Sequence, residues 1–291
     1  MLIYNNKVIS DFDMLKDKLI RFIIVLAFAS AFPQAKLFAE GLTIDIEVEH
    51  FKYAALDNLP KGPNPKIGEY QCRYYVIKNE NLKNAQAKLI DQSGWAVLAE
   101  TKLANYTLVA FAGSFTDGTS GSCLINQSNI AIFNSDNLEA IVYLDDPTTA
   151  LIGDLILTDA GYIRVFSGNY IQLPAAEIHL TESGLALTDT SAFTPYCKGG
   201  SIVPDVIGKN IAEAREVLFQ YGFRPSLADE PDVPAWRSNL LEEGIIEIDA
   251  CSNTGFAYCR FNYKNDVSEV GLVTAGEDSI PTVIRDDVEC Y

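Results

Sequence analysis

TIDIEVEH, residues 43–50, alternates Ile44, Ile46 and Val48 with Asp45, Glu47 and Glu49. A period of two turns one strand face to a core and the other to water, so this stretch predicts a half-buried β-strand. His50 keeps the register of the apolar set, which predicts a histidine at the core edge of that strand. Runs of similar character recur at 72–78, 95–100, 106–113, 129–133, 139–144, 155–158, 162–166, 177–181 and 185–188, broken by Gly, Asn, Asp and Pro. One helix is predicted near 81–90. Many short strands with few stretches long enough for parallel crossovers predict an antiparallel β sandwich or barrel over residues 40–190. The fold class is mainly β, and no fixed-period repeat indicates a solenoid or propeller.

After Asp189 the composition changes. SAFTPYCKGG, residues 191–200, opens a connector assigned to 191–202, and a small α+β unit follows over 203–291. Within it VPDVIG precedes Asn210, a helix N-cap, with Glu213 three residues on as the partner of a capping box. Ile211, Ala214, Val217, Leu218 and Tyr221 share one helical face, and Gly222 supplies the left-handed stop. Strands are predicted at 245–251, 256–263 and 270–274, the last ending in Gly276.

VPDVIGKNIAEAREVLFQYGFRP, residues 203–225, resembles the opening half of a PASTA domain, the small module of penicillin-binding proteins and bacterial Ser/Thr kinases. The likeness rests on Val203, Pro204, Val206 and Gly208 before the helix, Ala214 and Leu218 within it, and Gly222 after it. It extends over about residues 201–291, where Cys251, Tyr258 and Cys259 replace the usual polar strand and Pro/Gly turn, so the unit is similar to a cystine-bearing variant. The resemblance implies a non-catalytic module that senses cell-wall fragments or contacts proteins.

The 291 residues fit two modest domains, and 48% hydrophobic residues with 21% charged exclude disorder of the whole chain. Residues 19–32 are apolar apart from Arg21 and Ser30 and follow Lys16 and Lys18. The uninterrupted apolar part, 22–32, is shorter than the roughly 20 residues needed to cross a bilayer, so residues 1–39 read as a signal peptide with cleavage after Ala31 or Ala39. No permanent membrane anchor is expected after cleavage, and the address is periplasmic or secreted. Residues 1–39 hold five basic and three acidic residues, so the remainder carries 17 and 36, a net charge of −19. That balance excludes nucleic acid as a main partner, because phosphate backbones need clustered Lys and Arg. Solubility accounts for such a charge, and cationic proteins are the partners it would steer.

Cys72, Cys123, Cys197, Cys251, Cys259 and Cys290 all lie beyond the leader. An even count in an exported chain predicts a disulfide framework, and six cysteines allow 15 pairings. One partition pairs Cys72 with Cys123 in the first domain. In the second, Cys251 and Cys259 flank the turn SNTG, and a bond between them, or from either to Cys290, would pin the sheet, with Cys197 the nearest outside partner. None forms a CxxC pair, and with His50 and His179 as the two histidines a Cys/His metal site is poorly supplied.

The chain has no G-x-S-x-G elbow, no H-E-x-x-H and no dinucleotide fingerprint, so no catalytic residue, cofactor or metal is assigned. His179 in EIHL is expected to face solvent together with Glu177. Asp145 and Asp146 precede Pro147 in DDPTT, which reads as turn chemistry rather than as a calcium or acid–base pair. SFTDGTSGS, residues 114–122, lacks the Lys and Ser/Thr of a P-loop, since Cys123 and Leu124 follow; it reads as a hairpin connection, with an anion cradle on its amides as the alternative. The leading expectation is an exported, non-catalytic envelope protein that binds a cell-wall fragment or an envelope protein. The alternatives are an inhibitor of a cationic enzyme such as lysozyme and an envelope hydrolase working through residues such as His50 or Asp145.

Overall fold

The structure is a computed structural model. It describes residues 42–67, 71–119, 121–146, 148–252 and 255–291. The predicted leader with Ala31 and Ala39 lies outside the described residues, as do Ser120, Pro147, Asn253 and Thr254.

Ten strands form the first part: β1 (Thr43–Ile46), β2 (Phe51–Ala55), β3 (Ala96–Leu103), β4 (Tyr106–Asp117), β5 (Cys123–Asn134), β6 (Asn137–Leu144), β7 (Asp154–Leu157), β8 (Ile163–Phe166), β9 (Pro174–Leu180) and β10 (Gly184–Thr188). They make two five-stranded sheets, ordered β2-β6-β5-β4-β3 and β1-β10-β9-β8-β7. Each is an antiparallel meander of four consecutive strands with one early strand added at the far edge. The alternation predicted from the sequence supplies the packing. Leu108, Ala110, Ile130, Ile132 and Val142 of one sheet share a core with Leu155, Ile163, Val165, Ile178, Leu185 and Leu187 of the other. The fold is therefore mainly β, with two sheets face to face.

Three local expectations are corrected. The strand predicted over 43–50 stops at Ile46, and its last residue, His50, sits in a turn at φ 69° before β2. β1 pairs with β10 in parallel, Ile44 opposite Leu185, where an antiparallel partner was expected. The strand predicted over 72–78 opens instead as a 3-10 turn, Cys72–Tyr74. Asp117 Oδ1 accepts from the backbone N–H groups of Gln71 and Cys72 at 3.1 and 2.7 Å, which takes the donors a ladder would need.

The outer face of the first sheet holds a second core. Helix α1 (Ala85–Gln92) buries Ala87 and Ile90 against Val97, Val109, Phe111, Ala131 and Phe133.

The connector is itself structured: β11 (Phe193–Tyr196) and β12 (Ser201–Pro204) form an antiparallel hairpin. Beyond it come α2 (Ile211–Gln220), β13 (Arg224–Pro225), α3 (Ser238–Glu242), β14 (Ile248–Cys251), β15 (Cys259–Lys264), β16 (Ser268–Ala275) and β17 (Thr282–Cys290). Their sheet runs β13-β15-β16-β17, with β14 also on β15. Asn210 Oδ1 accepts from Glu213 N at 2.9 Å and caps α2. Ile211, Ala214 and Leu218 are fully buried against Phe261, Tyr263, Val270, Leu272 and Val283. Tyr221, expected on that face, is exposed; Gly222 at φ 87° redirects the chain and Phe223 enters the core in its place. This core is separate from the sandwich core, within one compact unit spanning Leu42–Tyr291.

Candidate binding cleft

Tyr75, Tyr170, Gln172, Tyr258, Ile284 and Arg285 line a cleft of ≈ 280 Å³, drawn from both the sandwich and the C-terminal sheet. Each aromatic is fixed by its neighbours. Tyr75 follows the 3-10 turn held by Asp117 and by the Cys72–Cys123 disulfide, and its hydroxyl donates to Gly121 O at 3.2 Å. Tyr170 lies against Gly118, where a Cβ would come within 2.7 Å of the ring, so the close approach requires glycine. Tyr258 adjoins Cys259, which is bonded to Cys251. Arg285 projects from β17 opposite Val273 of β16.

Burial pushes the Tyr75 and Tyr258 hydroxyls above the ordinary phenol value, and the Arg285 charge pulls Tyr75 back. Burial likewise raises the Asp154 carboxyl, against a backbone hydrogen bond and the pull of Arg285. Among the described residues no carboxylate lies within 4 Å of the Arg285 guanidinium. The cleft thus offers a cation, phenol groups, one carboxamide and aromatic faces, and among the described residues its lining includes no carboxylate, imidazole or thiol. A guanidinium beside phenol donors is a set suited to an anionic group.

The residues weighed from sequence fall elsewhere. The predicted core-edge His50 is on the surface, with Nδ1 3.4 Å from Asp145 Oδ1 and both side chains about half exposed. The displacement follows from the turn, where His50 O accepts from Asp145 N at 2.9 Å. Asp146 forms a turn of its own. It accepts from Thr148 N and Oγ1 at 2.8 and 2.7 Å, and those bonds hold its carboxyl below the usual value. Of the stretch 114–122 expected as a connection, residues 114–117 extend β4, and Gly118 N donates to Ser122 O in the turn to β5.

Glu177 was expected to face solvent with His179, and it is fully buried. Strand alternation says which residues share a face but not what covers it, and here the β11 hairpin covers it. Glu177 accepts from Arg164 at 3.0 Å and from Ser191 Oγ at 2.5 Å, with His179 Nε2 at 3.3 Å. Arg164 stands directly opposite Glu177 on the neighbouring strand, the one feature of the sequence that would have exposed the pair.

All six predicted cysteines are joined: Cys72–Cys123, Cys197–Cys290 and Cys251–Cys259. Three such bonds belong to an oxidising, non-cytoplasmic compartment. No helix among the described residues is long and apolar enough to cross a membrane, and no group of three or more His, Cys, Asp or Glu there is arranged to hold a metal ion. Comparison with family models, with curated proteins and with solved structures finds no match.

Proposed function

We propose that this chain is an exported, non-catalytic binding protein of the bacterial cell envelope that takes its ligand in the Tyr75–Tyr170–Tyr258–Arg285 cleft. The observation that carries this reading is the preorganisation of the cleft. Disulfides stand at Cys72 and Cys259, beside Tyr75 and Tyr258, and a rigid site loses less entropy on binding. Among the described residues Arg285 has no carboxylate within 4 Å, so an anionic group on a cell-wall fragment or an envelope protein is its complement. The PASTA-like run 203–225 supports a cell-wall address, and the leader supports a periplasmic or secreted one.

The test is a pulldown from envelope extract, at low and high salt, with the wild-type chain and Arg285→Ala. Wild-type capture of peptidoglycan fragments or of one envelope protein, lost in the variant, supports the reading. Equal capture by both chains removes the cleft from it. Hydrolysis of peptidoglycan or an ester that disappears in His50→Ala or Asp145→Ala overturns the non-catalytic assignment.

A second reading rests on the net charge of −19. An acidic, disulfide-bonded surface suits inhibition of a cationic enzyme. A salt-sensitive complex with lysozyme that Arg285→Ala leaves intact would favour it.

A further inference from the structure

The outer face of the first sheet carries a second concave surface, built from none of the cleft residues. Two cavities of ≈ 340 and ≈ 320 Å³ adjoin there and share Trp95, Asn129 and Tyr143. The strand register puts Tyr143, Asn129 and Phe111 on this face, because their neighbours Val142, Ile130 and Ala110 fill the sandwich core. The volumes fall within the range of small-ligand sites.

The groove is preformed. Trp95 Nε1 donates to Pro60 O at 2.8 Å, and the indole packs edge-on against Phe111 with ring centroids 5.0 Å apart. A Cβ on Gly113 would lie 2.9 Å from Trp95 Cζ3 and 2.8 Å from Gln127 Oε1, so glycine is what lets both side chains lie close on β4. Asn129 Nδ2 donates to Gln127 O at 3.1 Å, which orients the Asn129 carboxamide. Tyr143 remains 37% exposed, leaving its ring accessible.

The charge distribution selects the ligand. Among the described residues neither cavity is lined by a charged side chain, and the nearest cation on this face is Lys52 at the rim, opposite Tyr143 on the neighbouring strand. A charged ligand finds no counter-ion within the lining, only Lys52 at its rim, and a purely apolar one would leave carboxamides without partners. A sugar ring meets both demands: its C–H faces lie on the electron-rich faces of aromatic rings, and its hydroxyls pair with carboxamides. We infer that this groove binds an uncharged saccharide, with Trp95 and Tyr143 as stacking platforms and Gln127 and Asn129 as hydroxyl partners.

The test titrates the full chain with neutral tetrasaccharides of glucose and of N-acetylglucosamine, and with a uronic acid tetramer as the charged control. Trp236→Phe leaves Trp95 as the reporting indole, and calorimetry on the wild-type chain supplies a readout that does not depend on that variant. The expected result is saturable binding of a neutral tetramer with a dissociation constant below about 1 mM. Tyr143→Ala should weaken it by about tenfold or more, while Arg285→Ala leaves it unchanged. The inference fails if no neutral tetramer binds below about 10 mM, if Tyr143→Ala binds as the wild type does, or if the uronic acid tetramer binds equally well. A fluorescence change that follows protein concentration alone would assign the groove to a second copy of the chain and overturn it too.

Discussion

Arg164 Nη2 lies 3.0 Å from Glu177 Oε1 across β8 and β9, and both side chains are sealed from water. The same guanidinium donates to Thr194 Oγ1 at 2.9 Å, and Glu177 takes the Ser191 hydroxyl. The pair therefore fastens the sandwich to the hairpin that leads into the C-terminal sheet. Removing one partner strands a buried charge, so Arg164→Met should cost about 3–5 kcal/mol in urea unfolding. The double variant Arg164→Met/Glu177→Leu should recover part of that, because the Glu177 charge is then gone while the buried Asp286 still lacks the Arg164 cation. A loss below about 1 kcal/mol in the single variant would mean that water reaches Glu177.

Asp286 answers to pH. Burial raises its carboxyl above the usual value, opposed by the Arg164 charge and reinforced by the neighbouring Asp205 and Asp287. A raised folded-state pKa means that the native chain holds the proton more tightly than the unfolded one. This favourable contribution is present at low pH and lost as pH rises through the folded pKa. Asp286→Asn should therefore be more stable than wild type at pH 7, with the gain shrinking as pH falls through the raised folded pKa and gone below the unfolded value of about 4. Urea midpoints at the two pH values decide the matter, and a variant less stable than wild type at pH 7 would show that Arg164 uses the charge.

The three disulfides differ in the loops they close, with sequence separations of 93 for Cys197–Cys290, 51 for Cys72–Cys123 and 8 for Cys251–Cys259. Restriction of the unfolded chain then contributes about 4.6, 4.1 and 2.5 kcal/mol respectively. Paired Cys→Ala variants should lose stability in that order. If the loss on removing Cys251–Cys259 equals that for Cys197–Cys290, the bonds act through native contacts at the cleft and not through chain entropy.

Much of this fold is written in local pattern. Asn210, the Ile211–Ala214–Leu218 face and Gly222 define α2 because a helix cap and stop are made by residues a few positions apart. Most of the sandwich strands follow for the same reason, since alternation is a short-range signal. What covers a face is long-range, and there the sequence is silent. The pattern around Glu177 cannot reveal a hairpin arriving from Thr194, and nothing near Tyr75 announces Tyr258 or Arg285 as its neighbours. β17, Thr282–Cys290, is absent from the predicted strands, since its run of Asp and Glu resembles a solvated segment until β16 is placed beside it. The cysteines were legible as a set, while their partners were fixed only by the fold.

His50 separates the structural from the catalytic reading of the first domain. Its φ of 69° lies in the left-handed region, which penalises a side chain by about 1–2 kcal/mol. Its contact with Asp145 is an exposed ion pair, contributing at most about 1 kcal/mol. Glycine would relieve the strain but lose the Asp145 pair and about 0.5–1 kcal/mol to the freer unfolded chain, so His50→Gly should lie within about 1 kcal/mol of neutral. His50→Ala keeps the strain and loses the pair, and should be the less stable of the two. Thermal unfolding of both variants tests the turn, and ligand capture should be unchanged in each. An imidazole whose removal stabilises the chain yet abolishes an activity would be held there for chemistry, and the turn at residues 47–50 would have to be read as an active-site loop.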